Sequence, residues 1–326
     1  MRLKDAFSYI DLWKGIAIIW IIIFHTNIDF HGSLNIVKEF GYGGCDIFLF
    51  ASGIGNYKSY LRDELPVAFL KRCIDKLAPL YVPFIIIWIT YRLNKGDFSI
   101  QSIFGNLIGV QGFSSSGTYF NWYITAIILC YILTPYLASF TKQSILFNNV
   151  GLLLVLVTMT SCFYNDYNRI IVISRLPIFY LGMIFAKYDE TSVNAIKWPI
   201  VSLGILAAGW LLKITRMNQP GYIWNNGLYW YPFIIIAPAL CIIISIFGKK
   251  GDEYWVTKIV LDLIKKLGQK SFEIFLIHCL IFEIIKSRYK ESLSNYRWFI
   301  IIFLSIIISI AYGYLARKSF SIIKKR

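Results

Sequence analysis

Runs of about 20 apolar residues, broken by short charged connectors, dominate this chain. Lipid offers no partner for a bare backbone N–H or C=O, so only a helix or a closed barrel satisfies itself inside a bilayer. A helix needs about 20 mostly apolar residues to cross. Ten segments fit, at approximately 10–28, 44–60, 76–92, 121–140, 148–164, 172–187, 198–214, 228–247, 268–286 and 298–316. They predict an all-α integral membrane protein, a bundle of about ten transmembrane helices forming a single domain over residues 1–326. Hydrophobic residues make up 57% of the chain and charged residues 16%, against roughly 25% charged in soluble domains. A soluble globule and a disordered chain are both excluded. The longer connections, 29–43, 93–120 and 248–267, leave no room for a compact extramembrane domain. The first run ends in His25-Thr26-Asn27 without a small-residue cleavage pattern, so it is expected to stay in the membrane.

The net charge of +15 would suggest nucleic acid for a soluble chain. Here Lys and Arg sit between apolar runs and act as topology signals, so no nucleic-acid partner is expected. One set of alternate connections, which includes both termini, carries about twice the Lys and Arg of the other, which predicts both termini in the cytoplasm. The six cysteines stand singly with no C-x-x-C pair, so neither a disulfide framework nor a metal site is expected.

Ionisable groups within apolar runs are costly and are functional candidates by default. From Lys14 to His25 is eleven steps, about 20° past three helical turns, and Asp11 falls within about 40° of the same stripe. Lys14 and His25 thus share a face about 16 Å apart along the axis. Snorkelling by Lys14, capping by Asp11 and an interfacial His25 would also explain this stripe. Imidazole, however, accepts a proton near neutral pH, which suits His25 to deprotonating a hydroxyl. Lys71, Arg72 and Lys76 lie at the start of the third run with Asp75 and Pro79. They read either as positive-inside charges or as a phosphate-binding patch. Asp46, after Gly43-Gly44-Cys45, is either an N-cap or the carboxylate that orients His25. His278 reads as an interhelical hydrogen-bonding residue, and Gly53 and Gly55 as packing positions.

These pieces, in this order, resemble the acyltransferase 3 family of bacterial membrane O-acyltransferases. Lys14 and His25 reproduce a basic residue separated by ten positions from a histidine, with Lys where Arg is commoner. Asp46-Ile47-Phe48 through Ser52-Gly53 is similar to an Asp-x-Phe-Phe-x-x-Ser-Gly segment. Lys71-Arg72 through Pro79-Leu80-Tyr81 is similar to a second, with Lys76 replacing an arginine. Asn121-Trp122-Tyr123, Arg175-Leu176-Pro177 through Gly182-Met183, and the run ending at His278 complete the resemblance over nearly the whole chain.

The resemblance implies about ten spans in the plasma (inner) membrane and transfer of an acyl group, usually acetyl from acetyl-coenzyme A, to a carbohydrate hydroxyl. It implies His25 as the catalytic histidine with Asp46 assisting. Lys14 and Arg72, with Lys71 or Lys76, would sit on the donor side, and Trp122, Tyr123 and Arg175 on the acceptor side. No permanently bound cofactor is expected; the partners are lipid, acyl-coenzyme A and a glycan. His25 either acts as a base or briefly carries the acyl group. The rival reading is a transporter or flippase of a polysaccharide precursor, with His25, Asp46 and His278 as proton relays.

Overall fold

The computed structural model describes residues 1–96, 99–114, 120–163, 166–217, 220–289 and 293–324. The chain is 84% helix, with no strands among the described residues. The principal helices are α1 (Ile10–Phe24), α2 (Gly44–Tyr60), α3 (Pro66–Asn94), α4 (Asn121–Gln143) and α5 (Leu146–Met159). They continue with α6 (Leu176–Lys187), α7 (Val193–Thr215), α8 (Phe233–Gly251), α9 (Trp255–Gln269), α10 (Ser271–Tyr289) and α11 (Asn295–Lys324). Each of the ten apolar runs overlaps a helix, although 172–187 is split by the turn at Ser174–Arg175, 228–247 begins in a turn, and Tyr164, the last residue of the fifth, lies outside the described residues.

Among the described residues, seven helical stretches are long and apolar enough to cross a membrane. They are Leu3–Phe24, Pro66–Asn94, Asn121–Gln143, Tyr167–Lys187, Val193–Thr215, Phe233–Gly251 and Asn295–Ile322. The other three expected spans form helices that fall short for different reasons. α2 has 17 residues and α5 has 14; α10 is long enough but carries Glu273, Glu283, Lys286 and Arg288. The connection 248–267 holds α9, whose apolar side chains Trp255, Val256, Ile259, Val260 and Leu263 are exposed beside Lys258, Asp262 and Lys266. Its inner face packs antiparallel along α1, where a Cβ on Gly15 would stand 2.1 Å from the Ile264 carbonyl oxygen.

The outward faces of α7 and α11 expose Leu203, Ile205, Leu206 and Trp210, and Phe299, Phe303 and Ile307. Exposed apolar surface on this scale has lipid as its solvent. The stretch Tyr167–Lys187 is the most enclosed, 83% buried, and forms the centre of the bundle. It packs on α2 where two glycines meet. A Cβ on Gly53 would stand 1.9 Å from the Phe179 carbonyl oxygen, and one on Gly182 would stand 2.3 Å from that of Phe50. Only bare backbone permits this approach.

The basic connections grouped by the sequence meet at one end of the bundle. Arg2 and Lys4 pair with Glu190 at 2.5 and 2.6 Å, Lys58 pairs with Asp189 at 2.9 Å, and Lys142 pairs with Glu64. The Leu3 N–H donates to the Thr191 carbonyl at 3.0 Å, tying the N-terminal segment to the same connection.

Candidate active site

His25 caps the C-terminus of α1, its N–H still bonded to the carbonyls of Ile21 and Ile22. Its Nδ1 lies 2.9 Å from Nε2 of His278 on α10, and the two rings are nearly parallel, 17° apart. His278 Nδ1 lies 2.8 Å from the Ile274 carbonyl oxygen. A carbonyl only accepts, so His278 Nδ1 carries its proton and its neutral ring holds a lone pair on Nε2. His25 Nδ1–H must then donate to that lone pair, which leaves the basic lone pair of His25 on Nε2. This chain fixes both tautomer and ring orientation, as a carboxylate does for the histidine of a hydrolytic triad. His278 thus makes the interhelical bond expected of it.

Cys279 Sγ lies 3.7 Å from His278 Nε2. With the two facing ring nitrogens it makes a group whose atoms all lie within 4.8 Å of one another. Such a trio has metal-ligand chemistry without the sequence spacing that would announce it.

His25 lines a cavity of about 320 Å³ together with Tyr42, Trp122, Tyr167, Arg175, Trp224, Trp230, Phe275 and Lys286. Arg175 stands in the turn between the helix Tyr167–Ile173 and α6. Its Nη1 donates to both carboxylate oxygens of Asp46, at 2.8 and 2.9 Å. Its guanidinium lies 5.1 Å from the Trp122 ring centroid and 5.0 Å from that of Trp230, a cation between two indole rings. Asp46 therefore does not orient His25: its two oxygens are taken up by Arg175, and His278 supplies the orienting acceptor. A buried carboxylate is drawn to the one buried cation within reach, because an unpaired charge there is prohibitive.

A second cavity, also of about 320 Å³, lies at the Lys14 end of α1. Lys14, Ser52, Asp75, Lys76, Tyr131, Gln269, Glu273 and Arg317 line it. Lys14 pairs with Asp11 at 2.6 Å, and Gln269 donates to the same carboxylate at 3.1 Å. The buried Glu273 accepts from Arg317 Nη2 at 2.9 and 3.0 Å. Gly268 lets the start of this wall approach α1: a Cβ there would stand 1.8 Å from the Asp11 carbonyl oxygen.

The predicted donor group divides. Lys14 and Lys76 line this cavity, whereas Lys71 and Arg72 do not. Five steps from Lys71 to Lys76 turn about 140° around the helix, so Lys71 faces elsewhere and is exposed. Arg72 shares Lys76's side but is drawn away. Its Nη1 lies 2.5 Å from Asp63, and its Nη2 donates to the Ser59 carbonyl at 2.9 Å. That contact holds the Asp63 carboxyl below the usual carboxylate range, chiefly through the hydrogen bonds from Arg72.

The acceptor group divides too. Trp122 and Arg175 line the His25 cavity, while Tyr123, about 100° around the helix, lines the Lys14 cavity. Glu273, Arg317, Trp230 and Lys286 were not singled out from the sequence. The rule that flags ionisable residues in apolar runs would have found Glu273. The tryptophans give no comparable signal.

The profile of a family described as an acyltransferase domain matches residues 7–314, nearly the whole chain. No curated relative and no solved structure matches it. That match runs almost end to end through a bundle of long apolar helices, so the protein is a membrane acyltransferase and the chain belongs to the acyltransferase 3 family.

Proposed function

We propose that this membrane acyltransferase moves an acetyl group from acetyl-coenzyme A to a hydroxyl of a surface or secreted polysaccharide or its precursor. We place it in the plasma (inner) membrane with both termini cytoplasmic. In this reading α2, α5 and α10 also cross, for about ten spans. The observation that carries the chemistry is the chain from His25 Nδ1–H through His278 to the Ile274 carbonyl, beside a cavity walled by indole rings.

The acceptor hydroxyl gives its proton to His25 Nε2 as its oxygen attacks the thioester carbonyl. Collapse of the tetrahedral intermediate breaks the C–S bond, and the departing thiolate takes the proton back from His25. No proton is gained or lost overall. General-base action is favoured over acyl carriage because His278 holds the imidazole in one tautomer and returns it to that state each cycle. Donor phosphates are matched by Lys14, Lys76 and Arg317 in the second cavity. Sugar rings are matched by Trp122, Trp224 and Trp230 in the first.

The test is purified protein in vesicles with radiolabelled acetyl-coenzyme A and candidate glycans, beside a His25→Ala variant. Acetyl transfer should fall by about 10²–10⁴-fold in that variant. Undiminished transfer would sink the mechanism, and glycan movement across the vesicle without acetylation would favour the carrier instead.

A further inference from the structure

Four helices line both cavities, and they do so in matching order. α1 passes from Lys14 to His25, and α10 from Glu273 to Lys286. α2 and α4 run the other way, from Cys45 to Ser52 and from Trp122 to Tyr131. The two cavities are therefore stacked along one path, divided by the layer in which each helix changes from one lining to the other. Phe48, Tyr123 and Phe275 occupy that layer. Phe48 and Tyr123 have ring centroids 6.3 Å apart, and Tyr123 and Phe275 have theirs 4.6 Å apart. All three are buried, and Phe275 is 1% exposed. Phe275 also stands edge-on to His278, with centroids 5.8 Å apart.

We propose that Phe48, Tyr123 and Phe275 form an aromatic partition that the thioester arm must displace, and that Phe275 sets the length of acyl group transferred. The proposal rests on the donor reading above. Phosphates held at Lys14 and Lys76 reach His25, about 16 Å along the axis, only through this layer. Three rigid apolar rings exclude water from that route. They shield the thioester from hydrolysis and keep a continuous water column from joining the two cavities. Phe275 lines the His25 cavity and stands against His278, so its ring takes the space that a longer acyl chain would need.

The experiment compares wild-type protein with Phe275→Ala, Phe275→Leu and Tyr123→Ala. Each is given acetyl-, butyryl- and hexanoyl-coenzyme A, with and without glycan. Removing the ring should shift kcat/KM towards the longer donors by about tenfold or more, since each methylene in an apolar pocket discriminates on that scale. Phe275→Leu, which keeps an apolar body and the fold, should shift it partway. Acceptor-independent hydrolysis of acetyl-coenzyme A should rise in Phe275→Ala and Tyr123→Ala, and vesicles bearing them should leak protons faster. Unchanged chain-length preference, hydrolysis and leak in all three variants would overturn the partition. If wild-type protein transferred no acyl group, the donor reading would fail in that assay, whereas the proton leak, which needs no donor, would still decide whether the rings form a seal.

Discussion

An arginine–carboxylate pair stands beside each cavity, and the surroundings of the two pairs differ. In the Arg175–Asp46 pair both side chains are 2% exposed and the guanidinium is held between two indoles. In the Arg317–Glu273 pair the Glu273 side chain is 1% exposed but the Arg317 side chain is 41% exposed. Burying two charges costs several kcal/mol of desolvation, which good geometry only repays. The sealed pair is therefore a device for fixing position: it locks the start of α2 to the turn before α6 and holds Trp122 and Trp230 as a wall. The half-open pair keeps one cation that water or an anion can reach. The His25 end is thus built to stay put, and under the proposed function the Lys14 end receives the charged donor.

The contrast breaks first at the helix crossing beside the sealed pair. Gly53→Leu places carbon where the Phe179 carbonyl already stands, so α2 and α6 cannot close. We expect no monodisperse protein on size exclusion in detergent, whereas Gly55→Leu, with nothing within 4 Å of its Cβ, should purify normally. Asp46→Ala comes next. It strands a buried guanidinium and should cost about 3–5 kcal/mol, read as a large fall in the thermal unfolding midpoint. Restoring part of that loss with the double variant Asp46→Leu/Arg175→Met would separate the penalty of a lone charge from the net worth of the pair. Glu273→Gln should cost no more than about 1 kcal/mol, because Arg317 can turn to water and the amide keeps an acceptor. Equal losses at Asp46 and Glu273 would erase the distinction between the two ends.

The helices and the Lys14–His25 stripe were legible in the sequence for a physical reason. A span must satisfy its own backbone and meet lipid, so its length and apolarity are local properties. The alignment of Lys14 with His25 is likewise a matter of one helix and its period. Partner choice is not local. Asp46 and Arg175 are 129 residues apart, and His25 and His278 are 253 apart. Nothing in either stretch says which imidazole or guanidinium will face which carboxylate. The same limit hides that Trp122 and Tyr123, adjacent on α4, line different cavities. It also hides the pull of Asp63, nine residues away, which holds the Arg72 guanidinium outside the lining of the Lys14 cavity.

The smallest effects lie among the lysines, and they test whether the open end receives phosphate at all. Lys76 lines the cavity beside Lys14, while Lys71, on the same helix, points elsewhere. A solvated Lys–phosphate contact is worth about 0.5–1 kcal/mol, a roughly two- to fivefold change in affinity. Lys76→Ala should therefore raise KM for acetyl-coenzyme A by that factor with kcat nearly unchanged, and the difference should shrink as salt screens the contact. Lys71→Ala should leave KM where it was. Arg72→Ala should lower stability slightly by releasing Asp63 and should likewise spare KM. If Lys71 and Lys76 behaved alike, the response would belong to the general positive potential of this bundle end. The cavity would then have no special claim on the donor, because only a shaped site distinguishes two lysines five residues apart.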